Sequence, residues 1–580
     1  MNGAAWSGDM LHYELAAKKR RKLLYVRHMG YNAIRQEGTL EAKRFYEWTD
    51  ELGILVLGGY ACCSHWESPA NGERVRVENG KRLRLWQWNN AKRAIARDSL
   101  WSQLYKTAGH ASFLAWFNGS DFPPKYGQVE ADYDRIYASI FNQKRRPQVG
   151  YDQVIPFASS FSRRSLFGPS GTKMSGPYEH VPPIYWYSKG PRHTAGAAFG
   201  FNTEHGPGIS IATAATLGDL DPALDITPAA TRVPFGLCRA PGRTRSFALK
   251  QCTGTPAFAG GRPFFSALCR RYGKPATMGD FVRRVQFQNY EDHRAMNEAH
   301  GRNRHRSAFG HVYWMGMNGW PSLRWNLFDY YLRTGGTFYG AKKGNAPLHV
   351  SYSYDDDSVW LVNRTQRPAR GLTVEVQAFD RAAGLLTRRT LGPLTVSANA
   401  SAPSRFTLPK AALFADAQSR LSGPPPDTIY VVLSLRGADG RLVSRNVYWL
   451  SRSRDVLAAR RSDNKAWAYA KMSSTATYTD LQRTTNSRPD IIAVQPFKPG
   501  PKMTLGDAYL TGYRVVLRNP SERDLSLFWK IIPVHDGKTD EVRFQLWSDN
   551  FVTLLPSEQR AFTVLVDKAW AGKLDFSVTR

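Results

Sequence analysis

Strand-like apolar runs alternate with amphipathic helices over roughly the first 340 residues, and this alternation constrains the fold more than any other feature. A basic helix over Leu11–His28 and a short strand over Tyr31–Arg35 form the first pair. Glu41–Leu52 has helical apolar spacing, with Gly53 suited to the C-cap. Ile54–Leu57 is a near-continuous apolar run, which is typical of a strand buried on both faces.

The alternation continues through the first two thirds of the chain. We expect further helices over Ala91–Ala108, Gln128–Asn142, Met278–Ala299 and Leu323–Leu332, and further strands over Ser112–Phe117, 184–187, 197–201 and His311–Met317. Repeated βα units predict a parallel sheet, most simply a (β/α)8 TIM barrel over residues 1–346. Residues 218–263 lack this pattern and form an insertion, a disordered excursion or a product of gene assembly.

The pattern changes at about His349, where short β-rich segments separated by turns begin. Examples are Val359–Val362, Ile429–Leu433 and Val447–Leu450, with a turn at 437–440. We therefore expect two immunoglobulin-like β-sandwiches, over residues 347–452 and 453–580.

Charge and composition narrow the function classes. The chain has 79 Lys and Arg against 48 Asp and Glu, a net charge of +31, which raises the question of a nucleic-acid partner. The basic residues are scattered and no nucleic-acid module is recognisable, so we expect no nucleic-acid partner.

No apolar run reaches the ~18 residues of a membrane helix, so no membrane association is expected. Cys62, Cys63 and His65 resemble a metal cluster, but adjacent cysteines rarely share one metal, and we expect no metal and no cofactor.

Three acidic residues lie at or just beyond the ends of predicted strands: Glu37, Asp121 and Glu204. In a βα barrel, catalytic side chains converge at that end of the strands. A pair of carboxyl groups there is what glycoside hydrolysis requires, although acids in this position also serve as helix caps. Nearby aromatic residues could stack on a sugar ring, with core packing as the alternative: Trp66, Tyr185, Trp186, Tyr187, Trp314 and Trp320.

Around these residues the sequence resembles the exo-β-D-glucosaminidase branch of the family 2 glycoside hydrolases. Blocks that carry the resemblance occur in family order: 26–38, 50–56, 62–67, 119–121, 174–187, 201–204, 313–315, 320–325, 340–343, 444–450 and 547–550. The resemblance implies that Glu204 is the nucleophile, Asp121 the general acid/base, and Glu37 the partner of the sugar's 2-amino group. Trp314 and Trp320 resemble subsite aromatics. A retaining mechanism would place the carboxyl groups of Asp121 and Glu204 about 5–5.5 Å apart.

Members of this family normally carry two β-domains before the barrel, whereas this chain begins at the barrel. We expect a fragment, a truncated product or a shortened form, and an extracellular location if a missing N-terminus carries a signal. The expected partner is an oligosaccharide of the chitosan type, and the expected state is a monomer. A β-mannosidase or endo-β-mannosidase of the same architecture, and a non-catalytic sugar-binding relic, remain as alternatives.

Overall fold

The computed structural model describes residues 1–8, 14–38, 41–59, 75–78, 81–84, 90–107, 109–117, 119–120, 157–158, 172–188, 197–231, 261–458, 470–539 and 542–580. The helix predicted over Gln128–Asn142 lies outside the described residues. Of the irregular stretch 218–263, the described parts are 218–231 and 261–263.

Eight strands form one parallel sheet in the first part of the chain. In chain order, barrel strands one to eight are Asn2–Trp6, Ala33–Gln36, Leu55–Gly59, Phe113–Phe117, Phe157–Ala158, Thr172–Lys173, Gly200–His205 and Ala308–Tyr313. Their spatial order is five, four, three, two, one, eight, seven, six. Strands that follow one another in the chain therefore lie side by side, except that strands five and six stand at opposite ends of this order. Strand one also pairs in parallel with strand eight through Asn2 and His311. This is the strand order of a (β/α)8 barrel, and the predicted fold class is confirmed.

The helices follow the apolar periodicity closely where it is long and regular. Helices of the barrel span Ala16–His28, Lys43–Leu52, Asn90–Thr107, Ile184–Tyr187, Ala214–Leu220, Arg262–Tyr272, Met278–Arg302 and Gly336–Gly344. Gly53 ends the second of these with φ of 63°, a left-handed cap that glycine adopts without a Cβ penalty. A small antiparallel hairpin, Val75–Glu78 with Lys81–Arg84, lies between the third and fourth barrel strands.

Three local predictions were wrong. Residues 184–187 form a short helix rather than a strand, and Leu323–Leu332 form turns and isolated bridges rather than a helix. Most apolar residues of both segments are buried, so their apolar pattern reflects burial rather than the predicted element. The first barrel strand, Asn2–Trp6, was not predicted because it has only five residues and carries two alanines and a glycine.

Two antiparallel sandwiches follow the barrel. The first packs Leu348–Tyr352, Ser358–Asn363 and Ala400–Thr407 against a sheet of Leu385–Val396, Ala369–Phe379, Thr428–Arg436 and Leu442–Ser451, with a helix at Lys410–Arg420. The second packs Asp490–Phe497, Leu510–Arg518, Gln559–Asp567 and Leu546–Trp547 against Val552–Leu554, Ser526–Val534 and Asp575–Thr579. A two-strand ribbon, Val456–Leu457 with Met472–Ser474, and short helices at Thr479–Gln482, Pro501–Thr504 and Lys568–Trp570 complete the described elements.

The barrel and the second sandwich share one continuous hydrophobic core. Phe287 of the long helix Met278–Arg302 stacks on Phe528 of the second sandwich, with ring centroids 4.2 Å apart. Arg271, fully buried, bonds Glu291 within the barrel at 2.7 Å and Asp455 beyond it at 2.5 Å. These contacts hold the region after the barrel against the outer helices of the barrel. Within the described residues, none of the helices combines the length and the apolar character that a membrane span requires.

Candidate active site

The carboxyl ends of five barrel strands bring polar and aromatic side chains to one face of the barrel. Glu204 lies near the end of strand seven, and Trp314 directly follows strand eight. Glu37 follows strand two, Ser120 follows strand four and Tyr178 follows strand six. This is the barrel face at which catalytic residues gather.

Both carboxylate oxygens of Glu204 are held by hydrogen bonds. Arg35 donates from Nη1 to Oε1 at 2.5 Å, and Tyr178 donates from its hydroxyl to Oε2 at 2.6 Å. On the same strand, Asn202 lies two residues earlier, and its Nδ2 donates to the carbonyl of Gly176 at 2.9 Å. This hydrogen bond holds strand seven against the loop that carries Tyr178. Together with the bonds from Arg35 and Tyr178, it gives the Glu204 carboxylate one defined orientation.

Arg35 links the two acidic residues of the described site. It is fully buried on strand two, and its Nη2 donates to Ser120 Oγ at 2.5 Å. Ser120 in turn donates to Glu37, whose Oε1 lies 3.5 Å from Arg35 Nη2. Burial alone would lower the pKa of Arg35, but the carboxylates of Glu204 and Glu37 raise it above its ordinary value. The guanidinium is therefore a fixed positive charge between two carboxylates.

A second buried ion pair supports the loop that carries Tyr178. Arg324 Nη2 bonds Glu179 Oε1 at 2.5 Å, and the Arg324 guanidinium lies 4.4 Å from the Trp325 ring centroid. Trp325 Nε1 donates to the carbonyl of Tyr178 at 2.7 Å. The loop after strand eight therefore fixes the backbone of the residue that contacts Glu204.

The structure separates the predicted aromatic residues into two groups. Trp314 is half-buried, and the guanidinium of Arg35 lies 5.2 Å from its ring centroid, so it borders the site. Trp320 is 44% exposed in the loop that follows. Tyr185, Trp186 and Tyr187 are instead covered by protein, and assigning them to sugar stacking was wrong.

The physical reason is the position of the short helix Ile184–Tyr187 on the outside of the sheet. The Trp186 ring packs edge-on against His205 at 5.1 Å, and His205 lies next to Glu204 on strand seven. Because neighbouring strand residues point to opposite faces, this contact is outside the barrel. Tyr187 donates its hydroxyl to the carbonyl of Tyr352 in the first sandwich at 3.3 Å. These aromatics join the barrel to the sandwich.

Two predicted site residues, Asp121 and Trp66, lie outside the described residues, and their roles stay predictions. Ser120, the residue before Asp121, is described and is fully buried in the Arg35 network. The segment that leads to Asp121 therefore reaches the same barrel face as Glu204.

Sequence analysis gave no role to Arg35, Ser120, Tyr178 or Trp325, although all four lie within the blocks that carried the resemblance. One signal for Arg35 was available. It ends a predicted strand two residues before Glu37, a spacing that points both side chains to the same face if the extended backbone continues. A buried arginine also requires a carboxylate partner. Tyr178 gave no such signal, because its contact with Glu204 depends on the course of an irregular loop.

One group of three histidines has ligand-type atoms within 4.8 Å of one another among the described residues: His205, His300 and His311. It lies outside the barrel, where His205 Nε2 and His311 Nδ1 are 2.8 Å apart in a hydrogen bond. Lys173 and Arg364 add positive charge around it and lower the pKa of His300 further than burial alone. Such surroundings oppose a divalent cation, so we do not assign a metal here.

Sequence comparison shows which known proteins the chain resembles. The family model of the Mannosidase Ig/CBM-like domain matches residues 357–455, and that of the Exo-beta-D-glucosaminidase Ig-fold domain matches residues 467–579. The exo-β-D-glucosaminidases of Streptomyces avermitilis and Amycolatopsis orientalis are 34% and 33% identical to the chain over 571 and 545 residues. The chain is therefore similar to the exo-β-D-glucosaminidases over almost its whole length. These alignments cover 97% and 93% of it but only 56% and 48% of the relatives, so it spans about half of their length.

Solved structures that share the fold are enzymes of the same kind as the proteins with similar sequences. The crystal structure of the A. orientalis exo-chitosanase CsxA matches with a TM-score of 0.83 at 29% identity, covering 100% of this chain and 62% of that one. A β-D-mannosidase from Dictyoglomus thermophilum shares the fold with a TM-score of 0.63 at 15% identity. These two enzymes therefore share the fold of the barrel and the sandwiches that the structure describes.

Proposed function

We propose that this chain carries the catalytic barrel and sandwiches of a retaining exo-β-D-glucosaminidase acting on chitosan-type oligosaccharides. The observation that carries the proposal is the Glu204 carboxylate at the end of strand seven, with both oxygens held by Arg35 and Tyr178. A carboxylate that is fixed and hydrogen-bonded is suited to attack an anomeric carbon, because its orientation is set before the substrate arrives. Asp121, four residues beyond strand four, is proposed as the general acid/base.

In the proposed reaction, Asp121 protonates the glycosidic oxygen while a Glu204 oxygen attacks the anomeric carbon and the leaving sugar departs. Asp121 then takes a proton from water, which attacks the glycosyl-enzyme ester and releases the sugar and the Glu204 carboxylate. Hydrogen bonds from Arg35 and Tyr178 would stabilise the negative charge that returns to Glu204 when the ester breaks, so they help it to leave in the second step. The predicted separation of the two carboxyl groups stays about 5–5.5 Å.

Glu37 is proposed to bind the 2-ammonium group of glucosamine. Its side chain is 12% exposed, so it is largely withdrawn from water yet still reachable. Ser120 and Arg35 hold one of its oxygens. An ammonium group entering a partly dehydrated site requires a carboxylate partner, and a hydroxyl group in the same place does not.

Labelling the intact chain with a mechanism-based glycoside inhibitor tests the nucleophile. We expect a covalent adduct on Glu204 in the wild type and none in Glu204→Gln, which should also lack turnover of p-nitrophenyl β-D-glucosaminide. Solved complexes of CsxA variants contain PNP-beta-D-glucosamine, which makes it a suitable probe. Glu47→Gln, at a partly exposed position on the helix Lys43–Leu52, is the matched control. Near-normal hydrolysis by Glu204→Gln would exclude the assigned role.

A β-mannosidase is the second candidate, because the model matching residues 357–455 is that of a mannosidase domain. The two are separated by comparing p-nitrophenyl β-D-glucosaminide with p-nitrophenyl β-D-mannoside. We expect Glu37→Gln to raise KM for the glucosaminide by about tenfold, equivalent to about 1.4 kcal/mol, with little effect on the mannoside. Faster turnover of the mannoside by the wild type would favour the mannosidase.

A further inference from the structure

A small cavity lies where the barrel, the first sandwich and the second sandwich meet. Its volume is about 20 Å³, enough for a single water-sized occupant. Tyr290 of the long barrel helix, Trp449 of the first sandwich and Phe528 of the second form part of its wall. It is distant in sequence and in fold from the barrel mouth, and no step of the proposed reaction uses it.

The charged residues of this junction cavity are mostly cations. Lys343, Arg445 and Arg560 line it, together with one carboxylate, Asp549. Lys343 Nζ lies 2.7 Å from Asp549 Oδ2, and Arg560 Nη2 lies 4.0 Å from that same oxygen. Arg445 bonds a further carboxylate, Glu558, through Nη1. Three cations and two carboxylates leave one positive charge without compensation.

Within the part of the chain that the structure describes, Arg445 also has donors that no protein group satisfies. Its side chain is only 6% exposed, and Nε and Nη2 are buried without a hydrogen-bond partner among the described residues. Leaving such charged donors unpaired costs free energy. Burial and the nearby Arg445 also lower the pKa of Arg560, a sign of unrelieved repulsion between the two guanidinium groups.

We propose that the junction cavity binds one small monovalent anion, of the size of chloride, between Arg445, Arg560 and Lys343. A single negative charge balances the uncompensated cation, and an anion accepts the free N–H groups of Arg445. Water would satisfy those donors but would leave the charge unbalanced. Because the cations come from three parts of the chain, the anion would tie the barrel to both sandwiches.

Anion-dependent stability of the full chain tests this proposal. A ligand that binds only the folded state raises the unfolding temperature with its concentration. We expect sodium chloride to raise Tm by about 2 °C over sodium isethionate at equal ionic strength, since isethionate is too large for the cavity. The chloride-specific rise should disappear in Arg445→Met and persist in the control Arg420→Met, whose side chain is 45% exposed.

A crystallographic measurement keeps the test independent of the variant's folding. Crystals of the wild-type chain grown in sodium bromide should show an anomalous peak inside the junction cavity, within hydrogen-bond distance of Arg445. Equal unfolding temperatures in the two salts, or a cavity that holds only water in bromide, would overturn the proposal.

Discussion

The buried His300 gives a quantitative prediction for acid stability. It lies on the long helix Met278–Arg302 and is 4% exposed. Burial, together with the nearby positive charges of Lys173 and Arg364, lowers its pKa from 6.5 to about 3. The folded state therefore holds this imidazole neutral where an unfolded chain would protonate it. The stability linked to His300 is complete above pH 6.5 and is lost as the pH falls towards 3.

The size of the effect follows from these two pKa values. Between pH 7 and pH 5, His300 alone should reduce the free energy of unfolding by about 2 kcal/mol. We expect His300→Asn to abolish that part of the pH dependence. An asparagine amide can still donate to the carbonyl of Met296, which His300 Nδ1 contacts at 3.0 Å.

Urea denaturation of both chains at several pH values between 7 and 5 measures the difference. The variant should be less stable at pH 7, because a smaller side chain leaves a cavity, but its stability should fall less steeply with acid. His305→Asn, at an exposed position, is the control. If the wild type and His300→Asn lose the same free energy over this range, the assignment of a neutral buried imidazole is refuted.

Three substitutions test other contacts. Tyr178→Phe removes the hydrogen bond to Glu204 and should lower kcat/KM for the glucosaminide by about 10- to 100-fold with an unchanged Tm; an unchanged kcat/KM would mean that the contact is not used. Arg271→Met leaves buried carboxylates unpaired and should cost about 3–5 kcal/mol in denaturation experiments, and a loss below 1 kcal/mol would contradict this. Gly340→Val places a Cβ 2.3 Å from the carbonyl oxygen of Tyr290 and should lower Tm by several degrees, whereas an equal Tm would show that the helices can separate.

The barrel could be predicted because its sequence signals are long and regular. The helix expected over Met278–Ala299 is present as Met278–Arg302, and the strand expected over Ser112–Phe117 as Phe113–Phe117. Predictions failed where few residues carried the signal, as in the strand Asn2–Trp6. The segment 184–187 shows a further limit, since its aromatic residues are apolar enough for a buried strand and form a buried helical turn.

The acidic residues of the site could be predicted from the sequence, but the hydrogen bonds that hold them could not. Glu37 and Glu204 lie at or near the carboxyl ends of strands, and position along a strand can be read from the sequence. Arg35, which bonds both, is apparent only once the two strands are placed in space. Some blocks of the resemblance proved to have another role, since Lys343 and Asp549 from two of them pair at the junction of barrel and sandwich.

The net charge of the chain does not explain how the proposed substrate is recognised. A net charge of +31 would repel a polycation such as chitosan, so overall charge cannot recruit the proposed substrate. At the barrel mouth the balance is reversed locally, because Glu37 and Glu204 outnumber Arg35 among the described charges that contact one another there. Recognition of a cationic sugar must therefore act over a few ångströms, through desolvated contacts that salt screens weakly. We accordingly expect KM for a glucosaminide to respond weakly to ionic strength and strongly to Glu37→Gln, and a strong dependence on ionic strength would place recognition on the outer surface instead.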